Sequence, residues 1–180
     1  TDRDSGLQRL FVIQSEFNEH LEKLREILLQ ARHASGTSSY YRKRFLVLTE
    51  LVDLSELSLT SPIPPQQMHE VLKKYPQQLE AFIQLNKAQS ESLKRIVTTN
   101  LQKHDLNLNS LEQRLKNAKS ALLLLKQQPV TTDYIVLHNL YELQEKQAQR
   151  IFGIADLLDR RKNIKDTNTD SPKELEGFIT

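Results

Sequence analysis

The sequence predicts an all-α fold, an antiparallel up-and-down bundle of about five long helices plus one short helix. Three observations carry this expectation. Glycine occurs only four times in 180 residues, at Gly6, Gly36, Gly153 and Gly177. Five of the six prolines fall in polar seams, and between the seams leucines recur at helical spacing. Tight hairpins and phosphate loops need residues that tolerate positive φ, and few are present. Leucine, Gln, Lys and Glu are all good helix formers.

Leu7, Leu10, Phe17, Leu21, Leu24, Leu28 and Ala31 place one apolar face on a helix over residues 5–33, with Phe11, Ile13 and Ile27 widening it. The stretch 34–39, which contains Gly36, ends that helix. A second helix is expected over 38–59, carrying Tyr41, Phe45, Leu48, Leu51, Val52 and Leu59, and Pro62, Pro64 and Pro65 stop it. A short helix follows over 66–74 with Met68, Val71 and Leu72 on its apolar side.

Pro76 suits the first turn of the next helix, where a missing N–H costs nothing. That helix, over 76–103, buries Leu79, Phe82, Ile83, Leu93, Ile96 and Val97, with a polar interruption at Asn86, Gln89 and Ser90. The interruption, with Gln144 and Asn139 on a facing helix, would either line a small cavity or fix register, but exposure on the outer face is the expected outcome. After a turn over 105–109, Asn109 or Ser110 is the expected cap of a helix through Leu111, Leu115, Ala118, Leu122 and Leu125.

The last long helix is expected over 132–162, with Leu137, Tyr141, Gln144, Ala148, Ile151, Ala155 and Leu158 on one face. Gly153 within it points to a close helix contact. Residues 1–162 read as one bundle domain and 163–180 as a polar tail. Short connections favour antiparallel neighbours.

The composition narrows the chemistry. With 25 basic and 23 acidic residues the net charge is +2, so nucleic acid is not the expected partner. Residues 61–130 carry ten basic against five acidic side chains, a mild local excess. Cysteine is absent, which removes disulfides, thiolate zinc sites and thiol catalysis. The longest apolar run, Ala121 to Leu125, is far short of the ~20 residues a membrane span requires.

No catalytic residue, metal site or cofactor is expected. His20, His33, His69, His104 and His138 lack the three-to-five spacing of a helical metal site. Glu16, Glu19 and His20 come nearest to a di-iron half-site, but no second copy exists, and pairing with neighbouring cations explains such glutamates better. No Gly-x-Ser-x-Gly elbow or phosphate loop is present.

The candidate binding residues are Tyr40, Tyr41, Arg42, Lys43 and Arg44, the densest basic cluster, with two aromatics at a helix start. Such a group grips phosphate, an anionic lipid surface or an acidic partner; the alternative is a solvated face whose tyrosines partly join the core. Arg160, Arg161 and Lys162 at a helix end have a simpler role, facing the negative end of the dipole. Leu122 to Leu125 cover all sides of one helical turn and so offer a contact to another copy or a partner helix.

From residue 76 onward the order of features resembles the soluble domain of the fusaric-acid-resistance (FUSC) family of bacterial inner-membrane proteins. The residues are Leu85-Asn-Lys-Ala-Gln-Ser-Glu-Ser-Leu-Lys94, the polar turn over 105–109, Leu111-Glu-Gln-Arg-Leu-Lys-Asn-Ala118, Leu140-Tyr-Glu-Leu143 and Arg150-Ile-Phe-Gly-Ile154. Upstream, His33-Ala-Ser-Gly-Thr-Ser-Ser-Tyr-Tyr41 is similar to a small-residue and aromatic stretch of some members. The resemblance implies a cytoplasmic helical domain set between groups of membrane helices, oligomeric through its helix faces, in a protein of the organic- or aromatic-acid efflux type.

Two other readings remain: a helical sensor that binds a small molecule between its helices, periplasmic where it belongs to a receptor, and a scaffold or chaperone-like module that binds protein. All three are non-catalytic.

Overall fold

The structure, a computed structural model, describes residues 2–34, 64–100, 104–127 and 131–166. These form α1 (Asp2–Ala34), α2 (Pro65–Lys74), α3 (Pro76–Thr99), α4 (Asn109–Leu123), a 3-10 turn (Leu124–Gln127) and α5 (Thr131–Asp166), with no strand among the described residues. The fold is the all-α bundle the sequence predicts. The expected helix over 38–59 lies outside the described residues.

The helix ends follow local chemistry. Tyr75 takes φ −125° and ψ 73°, a non-helical conformation favoured before proline, so α2 stops there and Pro76 starts α3. α3 ends at Thr99, four residues before the expected Lys103, because Asn100 adopts a left-handed conformation with φ 52° and its N–H bonds to the Val97 oxygen at 3.1 Å. Asparagine accepts that conformation more readily than other non-glycine residues.

The start of α4 corrects another expectation. Neither Asn109 nor Ser110 caps it; Leu108 stands at the N-cap position without a side-chain bond. Asn107 satisfies one free donor instead, its Oδ1 accepting from the Asn109 N–H at 3.0 Å, and Arg95 Nη1 donates to the Asn107 oxygen at 3.0 Å to fix the turn to α3. α5 extends to Asp166, past the expected helix end at 162, and places Arg160 to Lys162 within its last two turns.

Register follows from the cross-helix contacts. Gln78 meets Ala121 and Arg95 meets Asn107, so α3 and α4 run antiparallel. Tyr75 meets Asp133 and Gln89 meets Gln144, so α3 and α5 run parallel, with α4 alternating in direction between them in chain order. Arg9 meets Glu80, and a Cβ at Gly6 would lie 3.1 Å from Leu79 Cδ2, which makes α1 parallel to α3 as well.

α3 is the central helix and touches α1, α2, α4 and α5. Its buried residues include Leu79 and Ile83 on one flank and Leu85, Ala88 and Ser92 on another, a far wider arc than the single stripe of α1. Leu7, Leu10, Phe17, Leu21, Leu24 and Leu28 of α1 are all buried as expected. Phe11 is not part of that stripe; it is 43% exposed and meets the His69 ring edge-on at 4.7 Å.

Candidate functional site

Two polar features of α3 stand out against this leucine-rich frame: a buried layer facing α5 and a charged groove facing α1. They meet at the consecutive residues Gln89 and Ser90.

Asn86, Gln89 and Ser90 are 2%, 0% and 4% exposed, which overturns the expectation that they lie on the outer face. The physical reason is phase. The apolar series Leu79, Phe82, Ile83 continues at three- and four-residue steps through Asn86, Gln89 and Ser90 to Leu93 and Ile96, so the helix must bury the polar residues wherever it buries that stripe.

The chain satisfies much of this layer from within. Asn86 Nδ2 donates to the Phe82 oxygen at 2.8 Å, and Ser92 Oγ donates to the Ala88 oxygen at 2.7 Å, both one turn back. Gln78 Nε2 reaches the Ala121 oxygen at 2.9 Å, in the last turn of α4 where carbonyls lose their helical partners. Gln89 Nε2 donates to the main-chain oxygen of Gln144 at 2.7 Å.

Gln89 Oε1 and both Nε2 and Oε1 of Gln144 have no hydrogen-bond partner among the described residues. Gln147, also fully buried, belongs to the same face of α5. Asn139 is only half-buried and lies around α5 from Gln144, so it does not join the layer.

On the other flank of Ser90 an open groove of about 480 Å³ runs between α1 and α3. Val12 and Ile13 give it an apolar wall, Ser90 lies at its floor, and the charged residues Arg9, Glu16, Lys87 and Glu91 border it. Arg9 Nη1 bonds Glu80 Oε2 at 3.2 Å across the helices, with both side chains 51% exposed. Hydrogen bonds from Gln84 and then Arg9 hold the Glu80 carboxyl below its usual range despite partial burial. Glu16, Lys87 and Glu91 make no hydrogen bond or ion pair among the described residues.

Just beyond the groove sits His20, half-buried on α1. Burial, then Lys23 and Lys94, lower its pKa, against the opposing pull of Glu16 and Glu19. No group of three or more His, Asp or Glu among the described residues is placed to hold a metal ion. Of the other histidines, His138 stands 3.6 Å from Glu142 and 5.7 Å from the Tyr134 ring. Short-range pairing also accounts for other helix charges, as in Arg25–Glu22 at 4.0 Å and Lys116–Glu112 at 3.6 Å.

At the end of the bundle where α3 begins, Tyr75 Oη donates to Asp133 Oδ2 at 2.9 Å, and Lys74 Nζ lies 3.7 Å from the same oxygen. Burial, then the contact with Asp133, raise the Tyr75 pKa. Burial, followed by Glu145, raises that of Tyr141 as well. The four-leucine run splits: Leu122 and Leu125 are buried, while Leu123 and Leu124 are 48% and 58% exposed.

The basic cluster Tyr40, Tyr41, Arg42, Lys43 and Arg44 lies outside the described residues, as does Gly36. Gly153 is half-buried within α5. The groove escaped sequence reasoning because its residues come from two helices far apart in the chain, joined by an Arg9–Glu80 contact that spans 71 positions, and ordinary surface charges carry no mark of what faces them. No helix among the described residues is long and apolar enough to cross a membrane. No protein-family model matches the chain, and no significantly similar curated protein or solved structure was found.

Proposed function

We propose that the chain is a non-catalytic, ligand-sensing helical domain that takes a small organic ion in the groove between α1 and α3. One observation supports this most directly: a concavity of about 480 Å³ with an apolar wall, a buried serine at its floor and charged side chains of both signs at its border. Ligand sites in helical bundles lie between helices, occupy roughly 300–1,000 Å³ and combine an apolar lining with a few polar groups. A ligand there would touch α1 and α3 together, and α3 packs against the other described helices, so an altered position of α3 would be felt throughout the bundle.

The test is a thermal-shift titration with carboxylic acids, amines and amino acids, repeated on Val12→Trp, which fills the groove from a position 57% exposed and therefore tolerant of bulk. A saturable rise in Tm that Val12→Trp abolishes supports the reading. If no compound shifts Tm, or if the shift survives in Val12→Trp, the groove is not a ligand site.

A second reading rests on the FUSC-type resemblance: the soluble domain of a membrane transporter of the organic- or aromatic-acid efflux type. The segments that carry it, Leu85–Lys94, Leu111–Ala118 and Leu140–Ile154, fall on α3, α4 and α5 in order. The full reading frame decides it. Groups of apolar spans on both sides of this chain support a transporter; their absence rejects it.

A further inference from the structure

Resting on the ligand-sensing reading, the register of the two helices narrows the ligand class. We propose that the groove takes an α-amino acid with an apolar side chain, its two charges bridging the helices at one level and its side chain lying along the apolar wall.

α1 and α3 run parallel, and the Arg9–Glu80 contact sets them 71 positions apart in sequence. The same step carries Glu16 to Lys87, so a carboxylate on one bank of the groove stands level with an ammonium on the other. Seven residues of helix, roughly 10 Å, separate this rung from the Arg9–Glu80 rung. Val12 and Ile13 lie between the rungs, each about one helical turn before Glu16 and so on its side of α1. The groove is thus bounded by an ion pair at one end, apolar in its middle, and bordered at a second rung by opposite charges that do not meet.

The free charges lie at that second rung. Arg9 is engaged with Glu80, whereas Glu16, Lys87 and Glu91 form no ion pair or hydrogen bond among the described residues. Glu91 stands one turn beyond Lys87 on α3, so two carboxylates and one ammonium border this end. Ser90, 4% exposed, lies at the floor beside them, and its hydroxyl also makes no hydrogen bond among the described residues. An α-amino acid carries its carboxylate and its ammonium on one carbon, which answers opposite charges facing each other at one level. The carboxylate meets Lys87, the ammonium meets Glu16 and Glu91, and the serine hydroxyl donates to the first or accepts from the second. The ligand side chain then runs toward the Arg9–Glu80 pair along Ile13 and Val12, the latter 57% exposed.

Other ligand classes fit less well. A simple anion meets Glu16 and Glu91, and a simple amine meets Lys87. A molecule that holds its two charges far apart finds only one free rung, since the other is already paired. Glu16 and Lys87 are both at exposed positions, where a direct pair between them is worth at most about 1 kcal/mol and competes little with a ligand.

Isothermal titration of the chain at pH 7.5 with five probes tests the proposal. L-leucine has the proposed form, 3-methylbutylamine lacks its carboxylate, 4-methylpentanoate lacks its ammonium and glycine lacks its side chain. The fifth, 6-aminohexanoate, is an isomer of leucine with the two charges held apart. The expected result is saturable binding of leucine with the other four at least tenfold weaker. Glu16→Gln and Lys87→Gln should each weaken leucine binding about tenfold with unchanged circular dichroism. The amine, the acid or 6-aminohexanoate binding as tightly as leucine overturns the paired charges while leaving a ligand groove in place, and glycine doing so overturns the apolar side chain. Leucine binding that neither substitution alters places the site elsewhere and overturns the proposal too. If none of the five binds, the amino acid fails, and the wider titration with the Val12→Trp variant decides separately whether the groove takes any ligand.

Discussion

Gln89 on α3 and Gln144 on α5 are both wholly buried, and the one hydrogen bond between them runs from a side chain to a main-chain oxygen, Gln89 Nε2 to Gln144 O at 2.7 Å. The Gln144 side chain therefore contributes nothing to the pairing, and its two polar atoms have no partner among the described residues. An unpartnered buried polar group costs about 1–3 kcal/mol, whereas an apolar group of the same shape costs nothing of this kind. The layer interrupts a core whose neighbouring residues, such as Leu85, Leu93 and Leu140, are fully or almost fully buried.

Replacing Gln144 by methionine, which keeps its length and leaves the accepting main-chain oxygen in place, should stabilise the protein by about 1–3 kcal/mol. Gln89→Met should gain less, because it also loses the 2.7 Å bond. Urea unfolding midpoints measure both. A Gln144→Met variant less stable than the parent would show that the amide has a partner in solution.

Asp133 is 8% exposed and receives Tyr75 Oη at 2.9 Å, with Lys74 Nζ at 3.7 Å, so it clamps the α2–α3 junction to the start of α5. A hydrogen bond to a charged group is worth about 1.5–3 kcal/mol. Tyr75→Phe should cost an amount near the low end of that range, since Lys74 still faces the carboxylate. A double-mutant cycle with Asp133→Asn should return a coupling of about 1 kcal/mol or more; additive effects would show that the clamp is not energetically coupled.

A Cβ at Gly6 would sit 3.1 Å from Leu79 Cδ2, the end of a side chain that is itself buried. Alanine gains about 1 kcal/mol over glycine in a helix interior, and here that gain is set against the displacement of Leu79. Gly6→Ala should therefore change stability by less than about 1 kcal/mol in either direction. Gly6→Val, which adds two further carbons at the same contact, should be clearly destabilising, as read by thermal melting. Recovery in the double variant with Leu79→Ala would locate the clash.

The all-helical class was legible from period and punctuation, because both are local: Pro76 starts α3, and the stripe Leu7 to Leu28 faces the core. What failed was the treatment of polarity as a sign of exposure. Asn86, Gln89 and Ser90 occupy the stripe's phase, and phase decides burial where a helix is enclosed by several neighbours. Leu85 and Ala88 are buried off the single stripe, and they carry the mark of a central helix that a one-face reading passes over. The groove was not legible, since only the parallel register of α1 and α3 brings Arg9 and Glu16 alongside Lys87 and Glu91. The end of α3 hung on one backbone conformation, at Asn100, that spacing alone does not fix.

His20 supplies a pH dependence whose sign is set by its surroundings. Burial comes first among the causes that lower its pKa, followed by Lys23 on α1 and Lys94 on α3; Glu16 and Glu19 oppose them without reversing the shift. The folded protein thus binds a proton at this position less readily than the unfolded chain, whose histidine titrates near 6.5. Above that pH both states are neutral here and His20 makes no difference to stability. As pH falls below 6.5 toward the folded value, the unfolded state gains protons first, and stability drops. The loss is complete below the folded pKa. His20→Gln removes this dependence, so the difference between parent and variant in urea midpoint should change in the parent's disfavour between pH 7.5 and pH 5.5, conditions chosen to lie above the titration of ordinary carboxylates at roughly 4. A parallel pair of curves would mean that the carboxylates of Glu16 and Glu19 compensate the two lysines and the burial in full. Glu16→Gln should then separate the contributions by steepening the parent's loss.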